Sequence, residues 1–327
     1  MGGPAQHRNP PTRARPLRSR FLARLLLAGA LACAACTPGG DAERTSPGQD
    51  PWRQGTGTSS HTITVDGRER AFLLYRPANL PAPAPLVVML HGALGSARQA
   101  ERSYGWNAQA DQGRFLVAYP DGTNRTWAVG DGCCGGAGRS GVDDVAFVTR
   151  MVAEIGRRIP VDRSRVYASG MSNGGMLAYR LACTTDVFAA YGPVAATLLG
   201  PCPDPAPTSL IHVHGTADRR VRYDGAPSEG LVKVDGQAVE PLTARWSKTG
   251  RCARPQVTRR GDVTTTAASC PDGHAVHLIA VRGAGHQWPG SQPNTPAQER
   301  LRADPPSRAL DATAAIWAFF ATHPKPR

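Results

Sequence analysis

The sequence predicts an α/β fold with a mostly parallel central sheet, and three observations carry that prediction. Strand-like and helix-like patterns alternate from "APLVVMLHG" onward, the arrangement that builds parallel βαβ units. That segment holds five consecutive apolar residues, Leu86 to Leu90, as a strand covered on both faces requires. Ahead of it, "HTITVDGRERAFLLYRP" alternates apolar and polar residues around Asp66-Gly67. That dipeptide favours a type I′ turn, and so an antiparallel hairpin.

Residues 1–36 stand apart from the rest. Arg8, Arg13, Arg15, Arg18, Arg20 and Arg24 come with no acid, and the apolar run "LLLAGALACAA" follows from Leu25 to Ala35. A basic start, a short apolar run and small residues at its exit describe an export signal. A membrane-spanning helix is the competing reading, but it needs about 20 apolar residues. "CAAC" then resembles a bacterial lipoprotein cleavage site with Cys36 as the lipid carrier, although Cys33 stands where an aliphatic residue is usual. Cleavage to a free secreted chain is the alternative.

Residues 37–60 read as a polar Gly/Pro/Ser/Thr-rich tether, and residues 61–327 as one catalytic domain. Within it "SARQAERSYGWNAQADQGR" has helical spacing, and "FLVAYPDG" is a short buried strand. "DDVAFVTRMVAEIGRRI" is a helix with acids at its front and an apolar stripe of Val145, Val148, Val152 and Ile155. "RVYASG" is a strand and "NGGMLAYRLAC" a helix. "FAAYGPVAA", "SLIHVHG" and "AVHLIAVRG" are further strands. "SRALDATAAIWAFFATH" closes the chain as a helix with Leu310, Trp317 and Phe320 facing inward. Arg219 to Ser247 reads as the largest irregular insertion, too small for a cap domain.

The formal charge of +13 falls to +7 without the six leader arginines. Such a balance suits anionic surfaces, but the basic residues are scattered and match no nucleic-acid-binding motif. Six cysteines lie beyond the leader: Cys133, Cys134, Cys183, Cys202, Cys252 and Cys270. An even number in an exported chain predicts three disulfides. Cys252 and Cys270 bracket a hairpin and are expected to pair. Two bonds are expected among the other four, with the adjacent Cys133 and Cys134 each bonding elsewhere. The spacing fits no zinc site.

The chemistry centres on "GMSNGG", a G-x-S-x-G between a strand and a helix. That setting suits a nucleophilic Ser172 on a sharp turn, with Gly170 and Gly174 relieving the crowding. A loop serine is the alternative. A serine nucleophile needs a base and an acid, and in this architecture they follow later strands in the order acid, then histidine. "SLIHVHGTAD" supplies Asp218, and "AVHLIAVRGAGHQWPG" supplies His286. Their roles would be to orient the imidazole and to move the serine proton. A turn aspartate and a surface histidine are the ordinary readings. His212 and His214 read as core histidines. "LHGALGS" follows the central strand where an oxyanion donor is needed, so the backbone N–H groups of Ala93 and Asn173 are the expected donors.

"VVMLHGALGS", "VAYPDG", "DGCCG", "SGVDDVAFVTRMV", "RVYASGMSNGGMLAYRLAC", "HVHGTAD" and "GAGHQWPG" together resemble the extracellular esterase/polyhydroxybutyrate depolymerase family. That family is related to LpqC-like lipoproteins and to the feruloyl and acetylxylan esterases of carbohydrate esterase family 1. The resemblance runs over about residues 60 to 322. It implies an α/β-hydrolase fold, no cofactor, and a serine esterase whose triad maps onto Ser172, Asp218 and His286. The segment "GLVKVDGQAVEP" looks longer than is usual in the family, and no polymer-binding module is expected beside the catalytic domain.

The leading expectation is therefore an extracellular carboxylic ester hydrolase, free or lipid-anchored, acting on an ester that is oligomeric or polymeric. Trp127 and Trp288 are placed along an open substrate cleft, with core packing as the alternative. Feruloyl or acetylxylan ester hydrolysis, acyl transfer to a sugar, and non-catalytic surface binding are the other functions weighed. Neither nucleic acid nor metal is expected as a partner, and membrane contact only through the lipid.

Overall fold

The Asp66-Gly67 turn folds as its sequence asks. Both residues take positive φ, 50° and 75°, and β1 (Gly57–Val65) pairs antiparallel with β2 (Arg68–Arg76), Val65 opposite Arg68. The computed structural model describes residues 2, 52, 55–130, 135–228, 234–293, 295, 299 and 303–326. The leader apart from Gly2, with Cys36, and Cys133 and Cys134 lie outside the described residues. β1 starts inside the segment expected to be tether, because residues 57–60 find backbone partners along β2.

Eight further strands follow: β3 (Ala84–Leu90), β4 (Leu116–Pro120), β5 (Val161–Met171), β6 (Ala190–Val194), β7 (Ser209–Gly215), β8 (Gln256–Arg260), β9 (Val263–Ser269) and β10 (Ala275–Val281). They form one sheet in the order β1-β2-β4-β3-β5-β6-β7-β10-β9-β8. The run from β4 to β10 is parallel. Antiparallel strands flank it on both sides. β3 shows why its apolar run is continuous. Leu86, Val88 and Leu90 face one core layer, and Val87 and Met89 face the other.

Seven helices are described: α1 (Ala97–Ser103), α2 (Trp106–Gly113), α3 (Gly136–Arg139), α4 (Asp144–Arg158), α5 (Asn173–Thr184), α6 (Val239–Thr249) and α7 (Ala312–Thr322). The helical stretch after β3 breaks into α1 and α2 at Gly105, whose φ of 75° no α-helix accepts. At α4 the two acids divide their tasks. Asp143 caps the helix by accepting from Ala146 N at 2.8 Å. Asp144 turns inward and pairs with Arg70 at 2.6 Å. The buried face of α4 holds Phe147, Val148, Met151, Val152 and Ile155, whereas Val145 is half-buried.

One expectation is corrected here. The stretch expected to be irregular contains α6, because Val239, Leu242 and Trp246 repeat at helical spacing and are buried. In the last helix Phe320 is buried as expected, together with Ile316 and Phe319, and Leu310 and Trp317 pack half-buried against the same core. Leu310 precedes α7, and Trp317 stacks half-buried on Phe115 with ring centroids 3.8 Å apart.

Cys252 pairs with Cys270 across the base of the β8–β9 hairpin, as expected. Cys183 pairs with Cys202, so neither is available to Cys133 or Cys134. That bond is one of those left open among the four cysteines; Cys133 and Cys134 themselves lie outside the described residues.

Candidate active site

Three parallel strands end at the same edge of the sheet, and each delivers one residue. β5 runs into Ser172, β7 leads to Asp218, and the loop after β10 carries His286. Ser172 sits at φ 54°, ψ −118°, a strained conformation for a residue with a Cβ. The strain is held from both sides: Ser172 N donates to Val194 O at 2.8 Å, and Ser172 O accepts from Met176 N at 2.8 Å. The flanking glycines are sterically required. A Cβ on Gly170 would lie 2.4 Å from the Gly174 carbonyl, and one on Gly174 would lie 2.3 Å from Leu90 O. The turn can therefore be this sharp only with glycine at both positions.

Ser172 Oγ donates to His286 Nε2 at 2.8 Å, and His286 Nδ1 donates to Asp218 Oδ2 at 2.7 Å. The loops that carry Asp218 and His286 are stitched together. Thr216 N donates to Val281 O, Ala217 N to Ala284 O, and Gly283 N to Thr216 Oγ1, all at about 3 Å. The other Asp218 oxygen accepts from Arg220 N at 2.8 Å and Val221 N at 2.9 Å. Burial opposes ionisation of Asp218, but hydrogen bonds from His214 and His286 outweigh it and hold its carboxyl well below the usual carboxylate range. Ser172 and His286 are half-buried and reachable, whereas Asp218 is buried.

The loop after β3 lies against this turn. A Cβ on Gly92 would come 3.7 Å from Ser172 Cβ, so Gly92 itself borders the serine. Among the described residues, neither Ala93 N–H nor Asn173 N–H donates to a protein acceptor. Asn173 begins α5, where backbone N–H groups favour negative charge. His91 braces the loop. Its Nδ1 donates to Gly92 O at 2.8 Å, and its Nε2 accepts from Gly122 N at 3.0 Å. Burial pushes the His91 pKa down, in keeping with this neutral arrangement. Arg125 clamps the next two residues. Its Nε donates to Gly95 O at 3.1 Å, its guanidinium also reaches Leu94 O, and its carbonyl accepts from Leu94 N.

Trp127 and Trp288 do not line a cleft; both are buried. The Trp127 indole donates to His91 O at 2.8 Å. Trp288 donates to Thr313 Oγ1 at 3.0 Å and stacks on Tyr104. Each indole N–H finds its partner inside the protein, so these rings support the loops from behind. Sequence reading missed Asp304, which accepts from His286 N at 2.6 Å, and Arg125. Both act through loop backbone, which leaves no spacing signal.

This arrangement offers a hydroxyl with its proton acceptor in place and an oriented imidazole. Fold and site together define an ester hydrolase of the α/β-hydrolase class. The chain belongs to the esterase PHB depolymerase family and is a carboxylic ester hydrolase; the model of that family matches residues 70–218. The "Putative esterase NocK" of Nocardia uniformis subsp. tsuyamanensis is 32% identical over 266 residues, spanning 71% of this chain and 74% of the relative. Feruloyl esterase B of Piromyces equi is 31% identical over 220 residues, 62% of this chain and 39% of that protein. The fold matches an acetyl xylan esterase from Aspergillus awamori with a TM-score of 0.55 at 16% identity, covering 75% of this chain and 98% of that one. The two disulfides suit an oxidising, extracellular setting.

Proposed function

We propose that the chain hydrolyses carboxylic esters through an acyl-enzyme on Ser172, with His286 as general base and Asp218 as the acid that orients it. The unbroken line from Ser172 Oγ through His286 to Asp218, with contacts of 2.8 and 2.7 Å, carries the reading. Ser172 Oγ attacks the ester carbonyl carbon, and its proton passes to His286 Nε2. The oxyanion is taken by the N–H groups of Ala93 and Asn173. The imidazolium gives its proton to the leaving alcohol as the C–O bond breaks. Water then adds to the acyl-enzyme, losing a proton to His286. Collapse releases the acid and returns that proton to Ser172 Oγ.

The substrate class favoured is a short hydroxyalkanoate ester, presented as an oligomer or polymer end, in keeping with the family to which the chain belongs. A feruloyl or acetylxylan ester is the second reading, supported by the Piromyces relative. A fluorophosphonate probe should label the wild-type protein and fail on Ser172→Ala, whose turnover should drop by about 10⁴-fold or more. Equal labelling of both would sink the acyl-enzyme and revive a non-catalytic role. Turnover of 3-hydroxybutyrate oligomers, acetylxylan and feruloyl esters separates the two substrate readings. Added sugar acceptors that divert the acyl group from water would instead reveal a transferase.

Export through residues 1–36 and lipid attachment at Cys36 complete the proposal. Membrane association lost in Cys36→Ser supports the anchor. Association unchanged in that variant would refute lipid attachment at Cys36, and wild-type protein found wholly in the soluble secreted fraction would make free secretion the better account.

A further inference from the structure

Behind the acid lies a buried polar chain that the mechanism above does not use. Tyr179 on α5 and His212 and His214 on β7 are all fully buried. Tyr179 Oη lies 2.5 Å from His212 Nδ1. His212 Nε2 lies 2.9 Å from His214 Nδ1. His214 Nε2 lies 2.8 Å from Val221 O and 3.4 Å from Asp218 Oδ2. Two histidines on alternate positions of one strand read as core residues, and burial bears that out. Their hydrogen bonds, however, all run toward the acid.

The direction follows from donor and acceptor types. A carbonyl oxygen only accepts, so His214 Nε2 carries a proton. In a neutral His214, Nδ1 then presents a lone pair, so His212 Nε2 carries the proton between the rings. His212 Nδ1 in turn presents a lone pair, which the Tyr179 hydroxyl fills. Burial keeps the Tyr179 hydroxyl protonated and His212 neutral. Every group in the chain is satisfied by this single arrangement. Reversing it with neutral rings would set the His214 Nε2 lone pair against Val221 O and the Asp218 carboxylate, two acceptors in a dry site.

We propose that Tyr179, His212 and His214 form a one-way hydrogen-bond chain that fixes the Asp218–Val221 turn and so aims the Asp218 carboxylate at His286. Val221 is the link. Its carbonyl accepts from His214, and its N–H donates to Asp218 Oδ1 at 2.9 Å. The inference rests on Asp218 serving as the triad acid. His214 is thus a positioning residue whose tautomer the Val221 carbonyl sets, and the Tyr179 hydroxyl supports that tautomer from the far side of His212. Besides His212, Asp218 and the Val221 carbonyl, the Tyr223 ring faces His214 edge-on, with centroids 5.8 Å apart.

Two measurements on the full chain test this. ¹⁵N NMR of the imidazoles should show both His212 and His214 neutral and protonated at Nε2. A His214 imidazolium, or protonation at Nδ1, would overturn the proposal. In the second measurement, His214→Leu should lower kcat about tenfold with KM changed less than twofold, as loss of a hydrogen bond around a charged group implies. His214→Gln, which keeps a donor near the Nε2 position, should recover most of that loss. Tyr179→Phe should lower kcat by about threefold and mix the His214 tautomers. Equal kcat in His214→Leu and His214→Gln would also overturn the proposal, since a role in packing alone would not distinguish a donor from a methyl group. Failure here stays separate from failure of the triad. If wild type labels at Ser172 and His214→Leu labels equally fast, only the chain is refuted. If wild type does not label, the acyl-enzyme reading fails while the tautomers remain readable.

Discussion

Trp127 and Asn173 hold each other by a reciprocal pair of bonds. Trp127 N donates to Asn173 Oδ1 at 2.7 Å, and Asn173 Nδ2 donates to Trp127 O at 3.1 Å. The residue directly after Ser172 thereby ties the start of α5 to the loop beneath the Ala93 segment. Asn173→Ala leaves a buried N–H and a buried C=O on Trp127 without partners. It should cost about 2–4 kcal/mol of stability and lower kcat more than it raises KM. Urea unfolding together with steady-state kinetics checks both. An unchanged midpoint would mean that water replaces the amide.

Gly174 lies so close to Leu90 that no side chain fits between them. Gly174→Ala must push β3 and α5 apart or flatten the turn. Stability should fall by about 3 kcal/mol or more, and fluorophosphonate labelling of the surviving folded fraction should slow. A folded variant labelling at the wild-type rate would show that the turn tolerates relaxation.

Asp218 gives the pH dependence a definite sign. Its folded-state pKa is depressed, so its contribution to stability is present above its unfolded value of about 3.9 and is lost as pH falls below that. Wild-type protein should therefore lose stability between about pH 5 and pH 3 more steeply than Asp218→Asn. Denaturant unfolding at a series of pH values reads this, and parallel curves would contradict it.

The disulfide at the β8–β9 hairpin closes a loop of 18 residues' separation at the sheet edge, away from Ser172. Changing Cys252 and Cys270 together to serine should lower stability by about 3 kcal/mol. Ester turnover per folded molecule should be unaffected. A matching fall in kcat would mean that this edge feeds into the site.

Trp288 gives the sharpest contrast with its sequence-based reading. Trp288→Phe removes the bond to Thr313 but leaves a ring against Tyr104. The variant should lose about 1–2 kcal/mol with KM unchanged across esters of different acyl length. A KM that rises with acyl length would restore Trp288 to the substrate surface.

Local sequence determined much of this protein. Asp66-Gly67 dictated a hairpin because both residues tolerate positive φ. The unbroken Leu86–Leu90 run dictated a strand covered on both faces. Glycines on either side of Ser172 marked a turn too tight for a Cβ, and Asp218 and His286, each after a later strand, meet in one line of hydrogen bonds with Ser172. Each of these signals is short-range, or depends only on strand ends sharing one edge of a parallel sheet. Tertiary structure alone decided the rest. Trp127 and Trp288 lie behind the loops rather than over the site, because an indole N–H that finds Thr313 or a His91 carbonyl gains more inside than in an open cleft. Cys183 chose Cys202 once the sheet brought α5 and the loop before β7 together. His212 and His214 read from sequence as core residues, yet only the packing of Tyr179 above them and Val221 below gives their hydrogen bonds a direction, since direction depends on which acceptors the fold places at each end.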